Sequence, residues 1–276
     1  MTMQPQARDA MQFINEQDPA TIERFVARLE LRGKDPTFVA YRESYLDAMS
    51  LPRTAAVLEI GCGTGVVCRA IASRDGFAGT VTGIDQSEDF IEVARALAAN
   101  DAAGDRVHFA VGDAYRLDFP AASFDAVIAH TLLSHVRDPL AVLEEAARVV
   151  RPGGVVAVFD GDYASLTFGC SDPRLGEAVE TALQAMIISS PRVMRDLPRL
   201  LPKAGLRLIE TQANVFAEAG SSSFMLNLAE TYVPLTASTG QLPAAQVDAW
   251  LADQRRSASD GTFFAACNYY AYLGRR

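Results

Sequence analysis

Ala55-Ala56-Val57-Leu58-Glu59-Ile60-Gly61-Cys62-Gly63-Thr64-Gly65 runs from an apolar stretch straight into a glycine turn, and that junction decides the fold. Val57, Leu58 and Ile60 suit a buried parallel strand. Gly61, Gly63 and Gly65 follow with the spacing G-x-G-x-G, and beyond them Val66, Val67, Ala70 and Ile71 share one helical face. Strand, glycine turn and helix open a doubly wound nucleotide-binding sheet, in which a turn without side chains lets backbone approach a ligand. A glycine motif alone is weakly specific, and the strands after it give it meaning. Glu59 interrupts the apolar run. A carboxylate there needs a partner, and a ligand ammonium suits it.

Downstream the pattern repeats. Thr80 to Asp85 reads as a second strand ending in an acid. Ser87 then caps a helix whose first turn holds Glu88 and Asp89, where the helix dipole favours them. A third strand over 106–112 runs into Asp113, and a fourth over 124–129 into His130. Asp138-Pro139 starts a helix that closes at Gly153-Gly154, and a fifth strand over 155–159 delivers Asp160. Such a series implies an α/β, mostly parallel sheet with ligand-facing residues at the carboxyl ends of its strands. The regularity then changes: 173–190 and 192–204 read as helices, 206–215 as a strand, 222–259 as helical and 262–272 as a last aromatic strand.

Upstream, residues 1–18 are polar and read as loose. Ile22, Phe25, Val26 and Leu29 form the stripe of an amphipathic helix that Gly33 ends. Phe38, Tyr41, Tyr45 and Met49 form the stripe of a second helix from Pro36. These helices either cover the mouth of the following domain or pack on its flank. The expected organisation is a helical cover over 1–50 and one domain over 51–276, with helical insertions at about 172–204 and 222–259.

The totals exclude several classes. Of 276 residues 49% are hydrophobic and 21% charged, with a net charge of −9. An acidic chain without a Lys/Arg cluster is poorly suited to gripping phosphate backbones, so no nucleic-acid partner is expected. The four cysteines lack zinc-like spacing, and reduced thiols follow. No apolar leader or membrane-length stretch is present, so the expectation is a cytoplasmic protein with no membrane partner. A homodimer is one assembly the sequence leaves open.

The acids at the strand ends fit an adenosyl ligand. A carboxylate at Asp85 can accept from both ribose hydroxyls, and Asp113 can accept from the adenine amino group. Each acid could instead simply cap the next helix. A dinucleotide site would read G-x-G-x-x-G, and neither the G-x-G-x-G spacing nor Glu59 nor the second acid fits it.

Together, VLEIGCGTG, GID, GDA, SFDAVIAHTLLSHV and RVVRPGG resemble the class I S-adenosylmethionine-dependent methyltransferases, nearest their small-molecule branch with the ubiquinone/menaquinone methyltransferases. The resemblance covers roughly Ala55 to Asp160. It implies a Rossmann-like methyltransferase fold of seven strands, the last antiparallel and inserted beside the fifth. It also implies S-adenosyl-L-methionine as cofactor and a small molecule as substrate, as in secondary metabolism. By that likeness Gly61, Gly63 and Gly65 hold the methionine part, Asp85 the ribose and Gln86 the adenine face. Asp113 with Ala114 takes the adenine edge, and His130 lies beside the sulfonium.

The expected reaction is in-line methyl transfer to oxygen, nitrogen or carbon, in which the protein aligns the reactants in a water-poor site. A base is needed only when the acceptor carries a proton. His135 is the candidate base or substrate ligand, or a helix-start histidine bonded to backbone. Asp160, the second candidate, and Asp162 face the expected acceptor side or cap the next segment. No third ligand accompanies them, so no metal is expected. Tyr41, Tyr163 and Tyr269 are the candidate acceptor-lining aromatics. Arg42 could pair with the methionine carboxylate, whereas Arg192 and Arg195 read as a solvated helix face. The place of the Asn/Asp-Pro-Pro-aromatic turn of base-methylating enzymes is taken by HTLLS, against a nucleic-acid substrate. Two other readings stand beside methyl transfer: a non-catalytic S-adenosylmethionine-binding regulator or scaffold, and, less favoured, a NAD-dependent reductase.

Overall fold

In the computed structural model, which describes residues 9–101 and 104–276, the glycine turn leaves the centre of a seven-stranded sheet. Strand β1 (Ala56–Ile60) has four of its five residues buried. It is hydrogen-bonded on one side to β2 (Thr80–Asp85) and on the other to β4 (Phe124–His130), both parallel to it. A strand shielded on both faces suits the apolar Val57, Leu58 and Ile60, with Glu59 the one polar residue among them. With β3 (Val107–Val111), β5 (Val150–Phe168), β6 (Arg207–Gly220) and β7 (Phe263–Arg275), the order is β3-β2-β1-β4-β5-β7-β6. β7 runs antiparallel to both its neighbours, so the last strand in sequence lies next to the fifth, as the resemblance implied.

Helices follow the punctuation in the sequence. Asp18 caps α1 (Pro19–Lys34) by accepting from the Thr21 amide at 3.0 Å. Asp35 ends that helix and caps α2 (Pro36–Met49), so α1 passes through Gly33 rather than stopping there. Helices α3 (Val66–Ala72), α4 (Glu88–Ala98) and α5 (Pro139–Val149) are the crossovers of the parallel half. After β5 come α6 (Pro173–Ile187) and α7 (Val193–Lys203), then after β6 α8 (Phe224–Ser238) and α9 (Ala244–Asp260). The expected single helical stretch over 222–259 is therefore two helices, parted around Gly240 and Pro243.

Two cores flank the sheet. One gathers α1, α2, α3, α4, α6, α8 and α9 around Phe25, Tyr45, Phe90, Phe159, Trp250 and Tyr269. The other packs α5 and α7 through Leu143, Val149, Leu197 and Leu201. Burying each large apolar side chain stabilises the fold by about 1.5–3 kcal/mol before entropy is counted.

Two expectations are corrected here. Strand β5 has 19 residues instead of ending at Phe159, because β7 supplies antiparallel partners well past that point: Asp160 faces Tyr270 and Asp162 faces Asn268. Asp160 and Asp162 thus sit within a ladder, not in a loop after the strand. Residues 9–14 are packed rather than loose, with Asp9 4% and Ile14 1% exposed, while Asn15, Glu16 and Asp18 are exposed. Residues 1–8 of that stretch lie outside the described residues.

Candidate active site

The glycine turn opens onto a cavity of about 610 Å³ at the carboxyl ends of β1, β2 and β4. Its floor is the loop Gly61-Cys62-Gly63-Thr64, and its far wall includes Asp85, Gln86, Asp113 and Ala114. Gly61 has φ +68°, and a β-carbon there would come within 2.7 Å of Leu132 Cδ1, so the turn tolerates little besides glycine. Asp85 locks the loop from below: its carboxylate accepts from the Gly63 amide at 2.9 Å and the Ser87 amide at 3.0 Å. Burial pushes its pKa up, opposed by those same amides. Gly65, predicted as a ligand-holding glycine, does not line the cavity. It begins α3 at φ +76°, where a β-carbon would strike the Phe109 ring at 2.4 Å. Its part is close packing of helix on strand.

Glu59 is 2% exposed and lines the cavity. Its Oε2 accepts from the Cys68 amide at 3.0 Å and the Cys68 thiol at 2.9 Å. Desolvation dominates and raises its pKa to about 8, so the group is mostly protonated at neutral pH. The sequence called for a partner; the chain itself provides one in α3.

His130, at the end of β4, stacks on Phe159 with ring centroids 4.7 Å apart and pairs through Nδ1 with the Tyr45 hydroxyl at 2.9 Å. Burial, aided by Arg32 and Arg42, holds its pKa well below the ordinary value and keeps the ring neutral. His135 lies in a short 3-10 turn, Leu133–His135, and lines the same cavity. Its Nδ1 meets both oxygens of Asp9, at 2.9 and 3.1 Å. Burial opposes protonation, but the carboxylates of Asp9 and Asp160 outweigh it and the His135 pKa rises.

The remaining predicted residues divide. Tyr163 is buried against the cavity and belongs to its lining. Asp160 does not: its Oδ2 accepts from the Ser134 amide at 2.9 Å, and its Oδ1 accepts from the Ser134 hydroxyl at 3.1 Å and the Gly161 amide at 2.8 Å. It braces the turn that presents His135. Asp162 is held by Arg195 at 2.7 Å, so Arg195 is an ion-pair partner rather than part of a free solvated face. Arg192 forms the start of α7. Tyr41 donates to the Val215 carbonyl at 3.0 Å, and Tyr269 stacks on Phe159 in the core. Neither reaches the cavity lining.

Sequence reasoning missed four residues that the fold brings in. Asp9 accepts not only from His135 but also from the amides of Met11 and Ser189, tying the amino-terminal segment to the loop before α7. The same segment rests on Gln86: its Nε2 donates to the carbonyls of Met11 and Gln12, and Asn15 Nδ2 donates to the Gln86 carbonyl. Arg28 and Arg32 of α1 and Thr131 also line the cavity. The Arg28-Arg32 spacing at i, i+4 was the one available signal, a second charged stripe beside the apolar one. Nothing local marks Asp9, which lies 126 residues from its partner. Among the described residues no group of three or more His, Cys, Asp or Glu side chains is arranged to hold a metal ion. Nor is any helix among them long and apolar enough to cross a membrane.

Residues 58–158 match the model of a methyltransferase domain family. The chain is 30% identical over 238 residues to an uncharacterized 37.1 kDa protein in a transposon of Streptomyces fradiae, covering 86% of this chain and 67% of that one. It is 32% identical over 164 residues to the O-methyltransferase rstn1 of Aspergillus nomiae, covering 59% of this chain and 69% of the other. For several other methyltransferase relatives the match spans only 50–55% of their own length. Among solved structures, the geranyl diphosphate C-methyltransferase of Streptomyces coelicolor superposes with a TM-score of 0.53 at 18% identity, over 86% of this chain and 77% of that one, a likeness of fold.

Proposed function

The chain belongs to the class I S-adenosylmethionine-dependent methyltransferases, and from that premise we propose that it methylates a small-molecule acceptor by in-line displacement, with His135 as the base. The reading rests on one observation: an Asp85-anchored glycine loop and a carboxylate-paired histidine open onto a single cavity.

The residues at the strand ends fit S-adenosyl-L-methionine. A side chain at Gly61 would strike Leu132, so the turn keeps backbone bare where a ligand must approach. Asp85 would hold the ribose, Asp113 and Ala114 the adenine edge, and Gln86 the adenine face. Gly61 and Gly63 would hold the methionine part, with Glu59 and the neutral His130 on its flanks. When bound there, the cofactor would supply an electrophilic methyl group on a sulfonium, whose neutral thioether departs without help from an acid as the acceptor takes the methyl.

The chain's own work is therefore alignment, exclusion of water and removal of one proton. A carboxylate only accepts, so Nδ1 of His135 donates to Asp9 and the lone pair is left on Nε2. Asp9 fixes that tautomer as a positioning residue, and its charge raises the basicity of the ring. Asp160 holds the turn that bears the imidazole. Tyr163 and the α1 and α8 side chains Phe25, Leu228 and Tyr232 give the acceptor end an apolar wall. Oxygen or nitrogen acceptors with a removable proton suit this arrangement.

Incubation of the protein with S-adenosylmethionine and fractionated metabolite extracts, followed by mass spectrometry, tests the proposal. A product heavier by one methyl group, lost in His135→Ala while S-adenosylhomocysteine still binds, is the expected result. Binding of the cofactor with no methyl gain in any fraction would overturn the catalytic reading in favour of a non-catalytic binder.

A further inference from the structure

The cavity wall holds three arginines, Arg28, Arg32 and Arg42, in a chain whose net charge is −9. Their surroundings differ. Arg32 donates from Nη2 to the Thr131 hydroxyl at 2.7 Å, beside the end of β4. Arg42 is engaged by Glu43 at 3.2 Å and by the Gly33 carbonyl at 3.4 Å. Arg28 is 7% exposed, and its Nη1 has no hydrogen-bond partner among the described residues. Instead its guanidinium lies over two rings, 4.7 Å from the Phe224 centroid and 5.2 Å from that of Tyr232. Such contacts stabilise a cation from one side. The Tyr232 hydroxyl also interacts with the guanidinium, yet Nη1 remains a buried donor without a partner among the described residues.

The nearby acids do not answer it either. Asp85 and Asp113 belong to the adenosine end. Glu59 is mostly protonated at neutral pH. Asp9 is already shared among His135, Ser189 and its own turn. The cofactor brings a single carboxylate, and Arg32, bonded to Thr131 after β4, and Arg42, felt by both Glu59 and His130, are suited to receive it. Arg28 is left on the acceptor side, one helical turn from Arg32, among Phe25, Leu228 and Tyr232.

We infer that Arg28 is a specificity-determining residue that takes an anionic group of the acceptor, so the substrate is an apolar or aromatic molecule bearing a carboxylate or a like anion. This rests on the methyl-transfer reading of the same cavity. The anion would satisfy the free Nη1 while the rings hold the other face of the guanidinium, and the apolar remainder would lie along α8 and Tyr163. Arginine is suited to this because its fork meets a carboxylate with two parallel bonds.

The test uses 4-hydroxybenzoate and its neutral methyl ester as paired probes, titrated calorimetrically into the protein saturated with S-adenosylhomocysteine. The acid is expected to bind at least about tenfold more tightly than the ester, the order expected of one charge-assisted contact. Arg28→Met should erase that preference and leave the affinity for S-adenosylhomocysteine within about threefold, a change smaller than one hydrogen bond is worth. Arg28→Lys, which keeps the charge, should retain part of the preference. An acid that binds no better than its ester overturns the inference without any variant. So does an Arg28→Met protein that keeps the preference, or one that instead loses S-adenosylhomocysteine about tenfold, which would assign the arginine to the cofactor carboxylate. Failure of wild-type protein to bind S-adenosylhomocysteine would instead strike the methyl-transfer reading itself.

Discussion

The two ends of the cavity are built differently. At the end proposed to take adenosine, Gly61, Gly63, Asp85 and Asp113 lie within 53 positions of one another, each at or just past the carboxyl end of a strand. Backbone amides and one carboxylate hold them in place. At the end proposed to take the acceptor, Asp9, Arg28, His135, Tyr163 and Tyr232 come from five separate elements and meet only when the chain has folded. The first end is local and rigid, the second long-range and assembled. Substitutions at the first should abolish cofactor binding, and those at the second should alter rate and selectivity while cofactor binding persists.

Asp85→Ala offers the largest effect. It removes the acceptor for the Gly63 and Ser87 amides and the proposed ribose ligand together. Affinity for S-adenosylhomocysteine is expected to fall about 100-fold or more by calorimetry, about 2.7 kcal/mol. A loss under about threefold would break the contrast at its stronger side.

At the assembled end, His135→Ala should lower methyl transfer about 100- to 1000-fold, within the range of one general base, with cofactor affinity little changed. Asp9→Asn should cost less, about 10- to 100-fold, with a further signature. Asp9 helps to raise the His135 pKa, so its loss lowers that pKa and moves the acidic limb of the rate profile toward lower pH. The chain has three histidines, His108, His130 and His135, so NMR titration of their ring signals can follow the shift directly. An unmoved His135 titration in Asp9→Asn would contradict the pairing.

The glycine-loop end, proposed to take adenosine, was legible as structure because its signals are local: a periodic apolar run, glycines at fixed spacing and an acid after each strand. The sheet order followed from the same repeats together with the resemblance. The acceptor end was only half legible. His135 stood out by residue type, but its partner Asp9 lies in a polar stretch with no period. Asp160 and Asp162 were read as following the fifth strand because nothing in the sequence shows that β7 extends the β5 ladder past Phe159. Gly65 shows the opposite limit: its spacing fits a ligand loop, and its contact with Phe109 makes it a packing residue.

Smaller effects sharpen the contrast in stability. The Glu59 pKa is raised by burial from 4.5 to about 8. The stability tied to its protonated form is therefore complete below pH 4.5 and is lost as pH climbs toward about 8. Glu59→Gln should flatten the fall in Tm over that window, and an unchanged slope would argue against a protonated Glu59. Arg195→Ala strips the buried Asp162, 2% exposed, of its cation and should cost about 1–3 kcal/mol in urea denaturation, with cofactor binding untouched.

The central claim is that one cavity unites the two ends, the cofactor under the glycine loop and the acceptor against His135. A crystal structure of the protein with S-adenosylhomocysteine tests it most directly. The account predicts the ribose on Asp85, the adenine beside Asp113 and Gln86, and the thioether turned toward the space that His135 and Arg28 share. A ligand bound elsewhere, or with its sulfur turned away from His135, would contradict it.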